Sequence, residues 1–178
     1  MQGFDRDRRT FVRGEGVFLY DRAGKRLFDA VSSIWTIVHG HSHPRIVEAI
    51  ARQARILDHS TLLGATHPVA EELAERLCAM TRLDYAFFSS DGASAIEVAL
   101  KMALQFWEDA GEPQRNRFVH LSDSYHGDTA AAMSLSDIAT FKARFGAITF
   151  ETRSFDSTDV LENDDIAAVI VEPVVQAA

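Results

Sequence analysis

Apolar positions fall at helical spacing in three stretches of the chain. After Pro44, the residues Ile46, Ala49, Ile50 and Ala54 share one face of a helix predicted over Arg45 to Leu57. Proline suits its first turn, where no intrahelical N–H is needed. From Pro68 onward Val69, Leu73, Leu77 and Met80 repeat in the same way, and Glu71, Glu72 and Glu75 place negative charge near the start of this second helix, where the dipole favours it. A third, longer helix is predicted over Ala95 to Ala110, with Ile96, Ala99, Leu100, Ala103, Leu104 and Trp107 on its apolar face. Between the helices the pattern shortens. Gly16 to Tyr20 and Arg26 to Ala30 read as strands around the turn Asp21 to Lys25, and Tyr85 to Ser89 and Phe118 to Leu121 read as two more. Ala167 to Val171 is an unbroken apolar run, as expected of a strand covered on both faces. Strands alternating with helices predict an α/β layer structure. No repeat or low-complexity tract interrupts it. The run closes at Glu172-Pro173, before the helices and neighbours that such a strand needs, so the sequence reads as interrupted.

Composition narrows the class. Of 178 residues, 47% are hydrophobic and 25% charged, which suits an ordinary globular domain. Eighteen basic against 26 acidic residues give a net charge of −8, which argues against a nucleic-acid binder. Arg6, Arg8, Arg9 and Arg13 stand beside Asp5 and Asp7 and read as a solvated surface. No apolar run approaches a membrane span, and the charged first residues lack the core of a signal peptide. A cytoplasmic protein is expected, with the lone Cys78 a buried thiol in a helix.

Four stretches carry candidate chemistry. Ser90 to Ser94 joins a predicted strand to a helix. Gly92 would let backbone approach a ligand, and the free N–H groups of the next turn would face an anion such as a cofactor phosphate. The same residues also read as a capped helix that needs no ligand. Ser124-Tyr125-His126-Gly127-Asp128-Thr129 follows a strand, where α/β proteins place their ligands. Tyr125 can stack on a flat ring there, or can simply be a buried loop tyrosine. His39, His41 and His43 alternate and would share one face of a strand. Without a companion cysteine, and with Gly40 and Pro44 breaking the ligand geometry, they are expected to be structural or pocket residues and not metal ligands. Glu172, before Pro173 at a strand end, can orient other groups of a site.

Taken in order, these stretches resemble the class III aminotransferases, which use pyridoxal 5'-phosphate (PLP), and among them the branch that makes diaminopelargonic acid in biotin synthesis. The resembling segments are Ser32-Ser33-Ile34-Trp35 with His39-Gly40-His41, then His59 to Gly64 with Thr66-His67-Pro68, then Asp91 to Ala103, Tyr125 to Thr129, and Glu172 to Gln176. The resemblance implies a fold-type I transferase. Residues 1–60 would be an N-terminal segment of its small domain, and residues 61–178 an incomplete PLP-binding large domain. It further implies that Gly92 and Ala93 hold the cofactor phosphate through backbone N–H groups, that Tyr125 stacks on the pyridine ring beside His126, that Glu172 is an acid near the ring, and that Trp35 and Tyr125 line the substrate pocket. The reaction implied passes an amino group from a donor, commonly S-adenosylmethionine and in some relatives lysine, to 7-keto-8-aminopelargonate in two ping-pong half-reactions, in a homodimer.

The chain departs from the pattern in places. Ala93 stands where the family usually has Ser or Thr, and Ile34 where many members have a second tryptophan. The family's aromatic N-terminal segment is expected before Met1. Its Schiff-base lysine and the aspartate that pairs with the pyridine nitrogen are expected after residue 178. Lys25 lies in a turn, Lys101 inside the third helix and Lys142 in a variable region, so no catalytic residue is expected within the chain. Three alternatives stand beside this reading: a class III aminotransferase for an ω-amino acid, a non-catalytic truncated product, and a metal-binding domain using His39, His41 and His43.

Overall fold

The computed structural model describes residues 8–155 and 163–174, with the side chain of Phe141 excepted. Arg6 with its acidic neighbours, and Val175 and Gln176 of the last motif, lie outside the described residues. The chain divides into two compact units, Met1–Arg76 and Leu77–Ala178.

The first unit opens with an antiparallel meander of β1 (Phe11–Glu15), β2 (Phe18–Asp21) and β3 (Arg26–Phe28). The predicted strand beginning at Gly16 starts later, because Gly16 is itself the corner of a hairpin. Its φ is +56°, and Glu15 pairs with Phe18 across the two-residue loop Gly16–Val17. The predicted turn at Asp21 forms as the sequence chemistry requires. The Asp21 carboxylate accepts from the Ala23 and Lys25 N–H groups at 2.9 and 2.8 Å, and Gly24 takes φ +80°. β3 ends at Phe28, two residues before the predicted limit.

Next comes α1 (Ser32–Trp35), a single turn wound the wrong way for L-residues, with φ of 49°, 49°, 57° and 62° along Ser32, Ser33, Ile34 and Trp35. Such backbone crowds Cβ against the following carbonyl and costs about 1–2 kcal/mol per residue. α2 (Pro44–Ile56) has proline at its first turn, as predicted. α3 (Pro68–Thr81) leads into the second unit, and Cys78 on it is half-buried, short of the full burial expected.

Tyr85 to Ser89 does not form the predicted strand. It is without regular secondary structure and unpaired among the described residues, with Tyr85 91% and Phe87 66% exposed. Aromatic composition favours a pleated surface, but a strand exists only where a partner supplies the ladder. The second unit continues with α4 (Gly92–Asp109), β4 (Arg117–Leu121), the short α5 (Ala130–Ser134) and α6 (Ala139–Lys142), β5 (Arg153–Phe155) and β6 (Ile166–Ile170). The strands form a parallel sheet in the order β5-β4-β6, which agrees with the predicted α/β layering.

α4 packs on β6 and α5. Leu100 of α4, Phe118 of β4 and Leu135 are buried together, with Ile96, Ala103 and Ile170 against them. Each such side chain contributes about 1.5–3 kcal/mol on burial. Trp107 adds a directional tie, since its Nε1 donates to the Ala167 carbonyl at 2.7 Å. Ala99 and Leu104, placed on the same predicted face, are exposed. β6 is only half-buried beyond Ile166, and Val171 lies outside it at 47% exposure, so the expected cover on both faces is incomplete.

Candidate functional site

The second unit has an open cleft of about 710 Å³ at the start of α4, lined by Asp91, Gly92, Ala93, Tyr125, His126 and Asp128 among others. Asp91 caps the helix. Its carboxylate accepts from the Ser94 N–H at 2.8 Å and the Ser94 hydroxyl at 3.1 Å, and its carbonyl accepts from the Ala95 N–H at 3.0 Å. The helix therefore begins at Gly92, three residues before the predicted start. Among the described residues the N–H groups of Gly92 and Ala93 have no protein acceptor. Two free donors at the positive end of an eighteen-residue helix have the chemistry to receive an anion. A Cβ placed on Gly92 would meet nothing within 4 Å, and Gly92 and Ala93 both line the open cleft. The cap that sequence offered is present, and it leaves the Gly92 and Ala93 donors free because Asp91 engages the later Ser94 and Ala95 N–H groups.

Facing this turn is the loop Tyr125–Thr129, and Gly127 brings it close. Gly127 has φ +130° and is buried, and a Cβ there would lie 2.5 Å from the Ala93 Cβ. Only glycine fits both the backbone and the gap. The loop is held from behind. The Glu172 carboxylate accepts from the Tyr125 N–H at 3.4 Å, which ties the end of β6 to the loop, and the Ser136 hydroxyl accepts from the His126 N–H at 3.2 Å. Glu97 of α4 accepts from the Ala131 N–H at 2.9 Å, fixing the next helix to the first.

The titratable groups are tuned by this packing. Partial burial, and then the Asp128 carboxylate that accepts from its hydroxyl, push the Tyr125 phenol up, so the ring stays neutral. Burial and the neighbouring His120 push the His126 imidazole down, against an opposing pull from Glu172. His126 Nε2 is buried and has no hydrogen-bond partner among the described residues. A buried orphan nitrogen at a cleft is a place where a ligand or water completes the pairing.

Beneath the loop lies a polar support that the sequence reading missed. His120, Ser124, Ser134 and Ser136 are all buried. His120 Nδ1 donates to the Leu121 carbonyl at 3.0 Å, the Ser124 hydroxyl donates to the Leu135 carbonyl at 3.2 Å, and Thr152 and Lys142 donate to the Ser134 carbonyl at 2.7 and 2.9 Å. A histidine inside an otherwise apolar strand was the available signal, but its partners come from elements far along the chain.

Of the residues predicted from sequence, Gly92, Ala93, Tyr125 and His126 share the cleft, with Glu172 behind it. Trp35 belongs to the first unit, on α1, and is 58% exposed. The three histidines do not share a strand face. His41 makes a single bridge to Gly16 and its ring meets Asp29 at 2.8 Å, while His39 and His43 stack edge to face with centroids 6.4 Å apart. Among the described residues no three His, Cys, Asp or Glu side chains gather to hold a metal ion. Lys25 lies between β2 and β3, Lys101 within α4, and Lys142 at the end of α6.

The family described as aminotransferase class-III matches residues 4–178, and this chain belongs to it. A curated relative, the adenosylmethionine-8-amino-7-oxononanoate aminotransferase of Synechococcus elongatus, is 42% identical over 94% of this chain and 45% of its own length. The solved structure of the enzyme of that name from Methanocaldococcus jannaschii superposes with TM-score 0.84 at 34% identity, covering 92% of this chain and 40% of that one. An amine transaminase from an uncultivated Pseudomonas species, solved in a PLP-bound form, gives TM-score 0.87 at 31% identity over 96% and 46%. The fold is that of the PLP-dependent transaminases, and the chain spans under half the length of these relatives.

Proposed function

We propose that this chain provides the phosphate and ring-binding loops of an aminotransferase that converts 7-keto-8-aminopelargonate to 7,8-diaminopelargonate, with PLP as cofactor. The observation that carries the reading is the pairing of free N–H groups at Gly92 and Ala93 with Tyr125 and the orphan His126 nitrogen across one cleft. The name and 42% identity of the Synechococcus relative support the substrate. In this reading Gly92 and Ala93 would hold the phosphate, Tyr125 would lie on the pyridine ring, and His126 Nε2 would meet a polar group of the ligand. Glu172 keeps the Tyr125 backbone in place, and Trp35 would form a wall of the substrate pocket. PLP supplies the electron sink that lets an amino group leave one carbon and join another. The Schiff-base lysine and the aspartate at the ring nitrogen are proposed to lie beyond residue 178. The complete enzyme is proposed to be a cytoplasmic homodimer using S-adenosylmethionine as donor.

The amine transaminase at TM-score 0.87 favours a second reading, in which the substrate is an ω-amino acid or amine. The test is an assay of the full-length gene product with 7-keto-8-aminopelargonate, offering S-adenosylmethionine and lysine as separate donors. Efficient turnover with either supports the biotin-pathway reading and identifies the donor. Turnover of ω-amino acids with none of the keto acid refutes it.

A further inference from the structure

The left-handed turn α1 has no glycine to ease it, yet it follows a residue built to hold it. Asp29 is tied to the meander by its own N–H, which donates to the Val17 carbonyl at 2.9 Å. Its carboxylate, 6% exposed, takes three donors: the Ser33 N–H at 3.0 Å on one oxygen, and the Ser33 hydroxyl and His41 Nε2 at 2.8 Å each on the other. An ionised carboxylate only accepts, so His41 Nε2 carries the proton. His41 is itself fixed. Its N–H donates to the Gly16 carbonyl at 2.7 Å and its carbonyl accepts from the Gly16 N–H at 3.1 Å. Its ring fills the place of a side chain at Gly14, where a Cβ would stand 2.7 Å from it. The strained turn and its holder are thus anchored to the same hairpin corner. Backbone in a sparsely populated region persists where the surroundings over-determine it, and here they do. What the turn displays is Ile34 and Trp35, 71% and 58% exposed.

We propose that Asp29 and His41 form a clamp that holds Ser32–Trp35 left-handed and so sets the direction in which Trp35 is presented. Asp29 is a positioning residue: it acts on substrate only through Trp35. That last step rests on the reading of Trp35 as a pocket wall.

The experiment uses the full-length gene product carrying this chain, labelled with 5-fluorotryptophan. The Trp35 resonance is identified by its loss in Trp35→Phe, and that of Trp107, in the other unit, serves as internal control. Asp29→Ala is expected to shift and broaden the Trp35 resonance while leaving Trp107 in place, and to raise KM for the keto substrate by about fivefold or more with a smaller change in kcat. Asp29→Asn keeps an acceptor for the Ser33 N–H and is expected to fall between. Adding Ser32→Gly to Asp29→Ala is expected to recover part of the lost order, because glycine enters this backbone region freely. Should Asp29→Ala yield no folded protein, Ser33→Ala, which removes one of the three donors, carries the same test. An unmoved Trp35 resonance in a folded Asp29→Ala or Ser33→Ala variant overturns the clamp. A moved resonance with unchanged KM upholds the clamp and removes Trp35 from the pocket.

Discussion

Tyr125 and Gly92 meet the same proposed ligand by different physics, so their variants should separate. Tyr125 offers a ring face, and its hydroxyl is engaged with Asp128. Tyr125→Ala in the full-length enzyme should weaken PLP binding roughly two- to tenfold, the scale of one aromatic stacking contact, and Tyr125→Phe should lose less. Equilibrium titration of cofactor release measures both. Equal, near-normal affinity in the two variants would leave Tyr125 a structural loop residue. At Gly92 the open space matters, since a Cβ there would meet no protein atom within 4 Å and a side chain could occupy part of the cleft that Gly92 lines. Gly92→Val should therefore lower cofactor affinity more than it lowers stability. Asp29 tests a different quantity. Its carboxyl is held down at about 2 from 3.8 by the Ser33 N–H, the Ser33 hydroxyl and His41. Because the folded pKa is depressed, the contribution to stability is complete above pH 3.8 and is lost as pH falls from there to about 2. Asp29→Asn should flatten the fall in stability across that window, read by chemical denaturation at each pH. An unchanged slope would mean that the three donors do not favour the charged form.

At the scale of elements, α4 links the site to the core. Asp91 caps its first turn, Gly92 and Ala93 face the cleft, and Leu100 and Trp107 tie the rest to the sheet. Asp91→Ala should cost about 1 kcal/mol of stability, the usual value of a side-chain cap. Melting and cofactor titration of one variant would show whether the cap also serves the anion site. The fall in affinity should exceed that in stability if the first turn frays where the phosphate binds. The three long helices were legible in the sequence because their period is local: Pro44, Pro68 and the Ile96 to Trp107 stripe each state a helix within one window, whereas the four- and five-residue α1, α5 and α6 are too short to show one. The loops Ser90–Ser94 and Tyr125–Thr129 were legible as separate motifs, and the parallel sheet agrees with the layering that the alternation predicted, while its strand order β5-β4-β6 was not read. What could not be read depends on distant partners. Tyr85 to Ser89 has the composition of a strand but pairs with no described neighbour. The left-handed backbone of Ser32–Trp35 is invisible in a stretch without glycine, since it is imposed by Asp29, His41 and the hairpin corner. The His120 support under the site is assembled from five separate places in the chain.

For the whole molecule, the decisive observation is how much apolar surface stays in water. Leu63 and Tyr85 are 91% exposed, Met80 82%, Ile56 74% and Ile34 71%. On α2 no residue is buried, although Ile46, Val47 and Ile50 are apolar. Single exposed apolar residues are ordinary, but a helix with an apolar stripe and no buried residue has nothing to gain from folding alone. Among the described residues the buried hydrophobic ones are few, and all of them lie in the second unit. Its parallel sheet has three strands and two edges among the described residues, whereas parallel sheets are stable when covered on both faces. A polypeptide of residues 1–178 produced by itself is therefore expected to lack a sharp cooperative melt and to aggregate as it is concentrated. It is also expected not to transaminate, because Lys25, Lys101 and Lys142 stand in a turn, within α4 and at the end of α6, none of them among the residues lining the cleft. Calorimetry and light scattering with and without added PLP test the first expectation, and a single cooperative transition would refute it. Borohydride treatment in the presence of PLP, followed by peptide mapping, tests the second. A stoichiometric adduct on one of those three lysines, together with amino transfer, would show that this half of the fold carries the chemistry unaided.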